Sequence, residues 1–237
     1  MQYLDVIDTV IHFTQNNEIE VTTTYSNGTK NIKNISTDDL FKAILSSVEK
    51  DNKCDCTPTP TLPNNEALGI ITLKHVTFSD GREIVFILKK AHRCDIQFYE
   101  DVFKDVGIPS LIFAITLSKG QFRKASVLAV KDKNITDDTQ LYHYPFSNVG
   151  YNGGICFGRN HMITFDYKRL TNLQGFPDMF LSMPNNNDQY GGKNNSGLEY
   201  RPLLKELSGK DFPDEYLKLS DYNFINWSNM IGGIKKC

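Results

Sequence analysis

Apolar and polar residues alternate from the start of the chain. The segments "VIDTVIHF", "EIEVTTTY" and "TKNIKNI" each alternate, and they are separated by "TQNN" and "SNG". A period of two predicts strands, and Asn27-Gly28 is a strong hairpin signal. The period then changes. Leu40, Phe41, Ile44, Leu45 and Val48 fall at helical spacing behind Ser36 and Asp39, a pair that reads as a capping box. Residues 1–50 therefore form a β-β-β-α extension.

The segment "CDCTPTPTLPNNE" follows, rich in Pro and nearly free of apolar residues, and residues 51–66 read as a linker. Strand patterns resume at Ala67. "GIITLKHVTF" and "EIVFILKKAH" flank Ser79-Asp80-Gly81, while "PSLIFAITLS" and "FRKASVLAVK" flank Lys119-Gly120, so two hairpins are expected. "DIQFYEDVF" fits strand or helix. After Cys156, "YKRLTNLQGFPDMFLSM" and "YRPLLKELSGKDFPDEYLKL" have helical spacing broken by Pro or Gly. The polar "PNNNDQYGGKNNSG" between them reads as a mobile excursion or a lid. Strands first and helices later indicate an α+β fold over residues 67–237 rather than an alternating parallel one.

Composition narrows the function classes. A chain of 237 residues with 40% hydrophobic residues can bury a core without metal or disulfides. A net charge of -2 with no basic stripe argues against nucleic acid as a partner. No apolar run approaches the roughly 18 residues of a membrane span. The N-terminus "MQYLDVIDTVIHF" carries two Asp and no basic region, unlike a signal peptide. The five cysteines, Cys54, Cys56, Cys94, Cys156 and Cys237, are odd in number and irregularly spaced. They suit a reducing compartment, so the expected location is cytoplasmic. The pairs Cys54/Cys56 and His92/Cys94 fall short of the four ligands of a closed zinc site, so no metal is expected.

The candidate chemistry centres on "YPFSNVGYNGGICFGRN", residues 144–160. It sets Cys156 after a glycine-rich turn, with Asn148 eight residues earlier. A thiolate is a strong nucleophile that forms thioesters, and thioesters transfer acyl groups readily to amines. Such transfer passes through a tetrahedral oxyanion, which a side-chain amide like that of Asn148 can stabilise. Tyr151, Asn152, Gly153 and Gly154 form a turn able to fold Asn148 back toward Cys156. Two other readings stay open: Cys156 as a buried structural residue, and a Cys-His hydrolase using His143 or His161.

"N-V-G-Y-N-G-G-I-C", residues 148–156, resembles without a gap the active-site motif of ubiquitin-conjugating enzymes. That motif has an Asn, an Ile or Val, a turn containing Asn-Gly, an apolar residue and the catalytic Cys. More narrowly, "PSLIFAI" at 109–115, "SVLAVK" at 126–131, "LYHYPFSNV" at 141–149, "GGICFGRN" at 153–160 and "FPDMFLSM" at 176–183 resemble prokaryotic family D of that superfamily, the group of PRTRC system protein B. The resemblance covers residues 105–185. It implies an antiparallel β-meander flanked by helices, with Cys156 as the thioester-forming residue and Asn148 as the oxyanion-stabilising one. Tyr151, Asn152, Gly153, Gly154 and His143 would support the loop. It further implies an acyltransferase without cofactor, working with a small ubiquitin-like protein, a ThiF-like activating enzyme and a JAB-type peptidase.

The sequence also departs from the pattern. Conjugating enzymes have His-Pro before the Asn, where this chain has Phe146 and Ser147, with His143 and Pro145 shifted nearby. The Asp found soon after the cysteine in many members is replaced by Phe157-Gly158. Asp166, Asp178 and Asp188 are equal candidates for the acid that assists an incoming amine. The departures motivate a second function reading, a binding module or scaffold that keeps the fold and has lost catalysis.

Overall fold

The computed structural model describes residues 5–14, 18–52, 60–158 and 169–233. Cys54, Cys56, His161, Asp166, Cys237 and residues 53–59 of the expected linker lie outside these residues. The chain divides into two compact units, Met1–Thr59 and Pro60–Cys237.

The first unit is a three-stranded antiparallel sheet with a helix. Strands β1 (Val6–Phe13), β2 (Ile19–Tyr25) and β3 (Lys30–Ile35) lie in that order and are followed by helix α1 (Thr37–Asn52). Gly28, with φ +81°, takes the turn position that the Asn-Gly pair announced. The capping box forms as expected. The Ser36 hydroxyl accepts from the Asp39 amide at 3.1 Å and donates to the Asp39 carboxylate at 2.8 Å. Of the helically spaced apolar residues, Leu40 is buried, whereas Phe41 and Ile44 are exposed.

The second unit is built on a six-stranded antiparallel sheet of order β11-β10-β9-β8-β5-β4. Its strands are β4 (Ile70–Thr77), β5 (Arg82–Lys89), β8 (Ser110–Ser118), β9 (Gln121–Val130), β10 (Gln140–Tyr142) and β11 (Leu219–Asn223). The two expected hairpins are β4-β5 and β8-β9, and β5 pairs β8 between them. The strands β5 and β8 are buried on both faces, which is why "IVFIL" and "LIFAITL" read as continuous apolar runs.

Each face carries its own core. Val85, Ile87, Phe113, Ile115 and Val127 pack with Phe176, Phe180, Leu203 and Leu204 on one side. Helices α2 (Phe176–Leu181) and α3 (Tyr200–Leu207) supply that layer. On the other side Ile84, Phe86, Ile112, Leu128 and Leu141 pack with Phe224, Trp227 and Ile231 of α4 (Phe224–Gly232). Phe86 meets both Phe224 and Trp227 edge-on, with centroids 5.6 and 5.9 Å apart. Fully burying each such side chain contributes about 1.5–3 kcal/mol. The fold is thus mixed α+β and dominated by antiparallel strands.

The structure decides one open reading and departs from two expectations. The ambiguous "DIQFYEDVF" is a hairpin of β6 (His92–Phe98) and β7 (Asp101–Ile108). Its turn runs through Tyr99 at φ +53°, a conformation that Tyr rarely advertises. The helix-like segment after Tyr200 ends at Leu207 and gives way to β11, and α4 follows it. The polar segment 184–197 is no bare excursion. Its groups bond back to residues 145–149 at several points, described below.

Candidate active site

The site grows out of β9. After β10 the chain buries Tyr144 and Phe146 in the core, turns sharply at Asn148 and buries Val149 again. Asn148 has φ +63°, the left-handed region that Asn tolerates better than most residues. Val149 and Ile155 face each other in an antiparallel bridge. The Gly150 amide donates to the Gly154 carbonyl at 2.9 Å, and the Gly153 amide donates to the Gly150 carbonyl at 2.9 Å. The Asn152 side chain accepts from the Gly154 amide at 3.0 Å. Residues 148–156 are therefore a small hairpin, closed at its mouth by the Cys156 amide donating to the Asn148 carbonyl at 2.8 Å.

The return arm is tied to β9. Ile155 donates to the Ala125 carbonyl at 3.0 Å, and Val127 donates to the Gly153 carbonyl at 2.8 Å. Gly153 has φ +84°, and a Cβ there would stand 3.0 Å from the Val127 carbonyl oxygen. Glycine is needed at this point for both reasons. On the other face of the sheet, the Trp227 indole N–H reaches the Asn152 carbonyl at 3.5 Å.

The structure brings the sequence-predicted site residues into one neighbourhood. Cys156 is exposed and, with Asn148, lines a cleft of about 330 Å³. The Tyr151 hydroxyl donates to the Gly191 carbonyl at 3.1 Å. His143 is buried behind the hairpin, its ring edge-on to Tyr151 at 5.3 Å, and does not line the cleft. Burial lowers its pKa, and the Lys218 and Lys193 charges lower it further, against Asp221 and the Tyr151 backbone.

The other walls of the cleft come from residues that sequence reasoning passed over, apart from the candidate acid Asp188. Tyr99 arrives from the β6-β7 turn, and Pro184, Asn185, Asn186 and Asp188 come from the polar segment. The Asn148 amide proton goes to the Asp188 carbonyl at 3.1 Å, and its side-chain Nδ2 donates to the Pro184 carbonyl at 3.1 Å. Beneath them, buried Asn185 accepts at Oδ1 from the Ser147 hydroxyl at 2.8 Å and from the Tyr200 hydroxyl at 3.0 Å. The sequence held no signal for these contacts, because a run of Asn and Gly is ordinary loop composition.

The three candidate carboxylates now separate. Asp188 lines the cleft, with its carboxylate accepting from Asn186 Nδ2 at 2.8 Å. Asp178 is committed elsewhere, in an ion pair with Lys89 at 2.8 Å. Asp166 lies outside the described residues. Cys94 is half-buried in a different depression, where burial, reinforced by Asp178 and Asp95, pushes its thiol up to about 11. Among the described residues no cluster suits a metal ion, and no helix is long and apolar enough to cross a membrane.

Comparison with known proteins agrees with the motif. The family model of prokaryotic E2 family D matches residues 61–219, a span that takes in the hairpin, the cleft walls and every strand of the six-stranded sheet except β11. No curated protein and no solved structure gives a match. The match covers most of the chain and includes the Asn-to-Cys stretch, so the chain belongs to prokaryotic E2 family D, a family of conjugating-enzyme-like domains in ubiquitin-like protein systems.

Proposed function

We propose that this protein is an acyltransferase that carries a small ubiquitin-like protein as a thioester on Cys156 and passes it to an amine. The observation that carries this reading is the exposed Cys156 thiol opening on the same cleft as Asn148. A ThiF-like activating enzyme would present the activated C-terminal acyl group; the Cys156 thiolate would attack its carbonyl carbon, the new C–S bond would form, and the bond to the carrier on the activating enzyme would break as that carrier leaves. The acceptor nitrogen then attacks the thioester carbonyl, the C–N bond forms, and the Cys156 thiolate leaves. The Asn148 side-chain amide donates one proton to Pro184 and has a second for the oxyanion. Asp188, on the cleft wall, is the group we assign to receive the proton that the amine sheds. The chemistry needs no metal and no organic cofactor, because the thioester supplies the driving force. Residues 67–237 would form the conjugating-like domain, 51–66 the linker and 1–50 an extension, and a JAB-type peptidase would act in the same system.

For the Cys-His hydrolase alternative, His143 does not line the cleft, and His161 lies outside the described residues. The test is a non-reducing gel of the protein mixed with the ubiquitin-like and activating proteins of its system and ATP. A reductant-sensitive adduct that persists in Cys237→Ala and vanishes in Cys156→Ala supports the reading. An activating enzyme that charges itself but gives no adduct overturns it, and a scaffold role would then lead.

A further inference from the structure

Lys193 is among the largest fully buried side chains, with 1% of its surface exposed. Lysine is almost never buried to this degree without a partner. Among the described residues it makes no ion pair. Its ammonium donates instead to two backbone carbonyls, those of Phe146 (3.1 Å) and Val149. These two carbonyls bracket Ser147 and Asn148, the turn on which the oxyanion-binding side chain stands. An apolar side chain of similar length would fill the same space without the cost of removing a charge from water, but it would leave both carbonyls without this donor.

The surrounding chain delivers Lys193 to this point. Gly192, at φ +75°, turns the backbone inward, and a Cβ there would stand 2.5 Å from the Tyr151 hydroxyl. The next residue continues the grip, with Asn194 Nδ2 donating to the Pro145 carbonyl at 3.0 Å. Burial lowers the Lys193 pKa to about 8, which leaves the ammonium mostly charged at neutral pH.

We infer that Lys193 is a positioning residue for Asn148: its buried ammonium clamps the Phe146 and Val149 carbonyls and thereby holds the left-handed turn that aims the Asn148 amide into the cleft. The inference rests on the oxyanion role proposed for Asn148, but the clamp itself can be read without any partner protein. Ground-state packing needs only a side chain of the right volume. A clamp needs the donor, and its loss is felt at Asn148 before it is felt in the sheet.

The experiment compares wild type with Lys193→Met in two readouts. The first is hydrogen exchange of the Asn148 and Cys156 amides, which close the turn and the hairpin mouth. Exchange there should quicken about tenfold or more while the β8 amides keep their protection. The second is single-turnover discharge of the Cys156 adduct to an amine. Loading should proceed at the wild-type rate and discharge should slow about tenfold or more. In the Asn148→Ala background Lys193→Met should then slow discharge no further, because the effect runs through Asn148. Unchanged exchange at Asn148 and Cys156 overturns the clamp, as does a discharge loss that adds fully to that of Asn148→Ala. If wild type forms no adduct at all, the transferase reading fails and exchange alone decides the clamp. Should Lys193→Met not fold, Lys193→Gln, which keeps one donor, is expected to show a smaller effect in both readouts, and no effect would overturn the inference.

Discussion

The Cys156 amide donates to the Asn148 carbonyl at 2.8 Å, so the candidate nucleophile and the candidate oxyanion donor close the two ends of one hairpin. The pair is joined by a backbone bond that depends on neither side chain. Substituting Cys156 therefore leaves Asn148 in position, whereas Asn148→Ala also loses the bond to Pro184 and places Ala at φ +63°, which is why Asn148→Asp accompanies it.

Asn148→Ala is expected to load normally and to discharge roughly 10²–10³-fold more slowly, the usual loss on removing one oxyanion donor. Asn148→Asp keeps the size and the tolerance for a left-handed turn but replaces the donor with a charge. It should lose discharge to a similar extent. Single-turnover discharge, with melting curves as the control, checks both.

The two described cysteines should differ sharply toward alkylation. Cys94 is half-buried with its thiol near 11, so roughly 0.1% is thiolate at pH 8. Cys156 is exposed. Brief iodoacetamide treatment at pH 8 followed by peptide mapping should label Cys156 while Cys94 stays almost unmodified. Equal labelling would contradict the burial of Cys94.

Gly153→Ala combines two penalties, a Cβ 3.0 Å from the Val127 carbonyl oxygen and a side chain at φ +84°. A loss of about 1–3 kcal/mol in stability is expected, read as a drop in Tm. Gly158→Ala is the control. It shares a positive φ, at +57°, yet meets nothing within 4 Å, so its loss should be the smaller one.

Stability should also respond to pH through Lys193. Its folded pKa of about 8 lies below the ordinary 10.5, so between these values the unfolded chain holds more protons. This contribution is fully present above 10.5 and is lost as pH falls through 8. Wild type should therefore gain stability relative to Lys193→Gln as pH rises from 8 toward 10.5, measured by denaturant unfolding. The comparison cancels the buried Tyr144 and Tyr200, whose raised pKa values act in the opposite direction, and His143, held below its ordinary 6.5, stays neutral throughout this window.

How much of this was legible beforehand varies with the range of the contacts. The hairpins β4-β5 and β8-β9 were readable because Asp80-Gly81 and Lys119-Gly120 mark local turns between apolar runs. The Asn148–Cys156 hairpin was readable because its turn and its chemistry lie within nine residues. The β6-β7 hairpin was ambiguous because its turn uses Tyr99 in place of Gly or Asn. Asp188 stood among the candidate acids, but its contact and that of Pro184 with Asn148 were invisible because both run through backbone carbonyls, which every residue possesses. Lys193 was hidden for a related reason: a lysine in a run of Asn and Gly looks like a solvated loop until its carbonyl partners, over forty residues away, are brought beside it.

The contact between Trp227 and Asn152 has an optical consequence. Trp227 is the chain's only tryptophan, has no exposed surface, and extends its indole N–H toward the carbonyl of Asn152 at the tip of the hairpin. Its emission therefore reports on a single, dry environment that includes the Asn152–Gly153 tip. The native chain thus carries its own fluorophore, able to follow in real time, without any dye, whether arrival of an acyl group at Cys156 disturbs that tip.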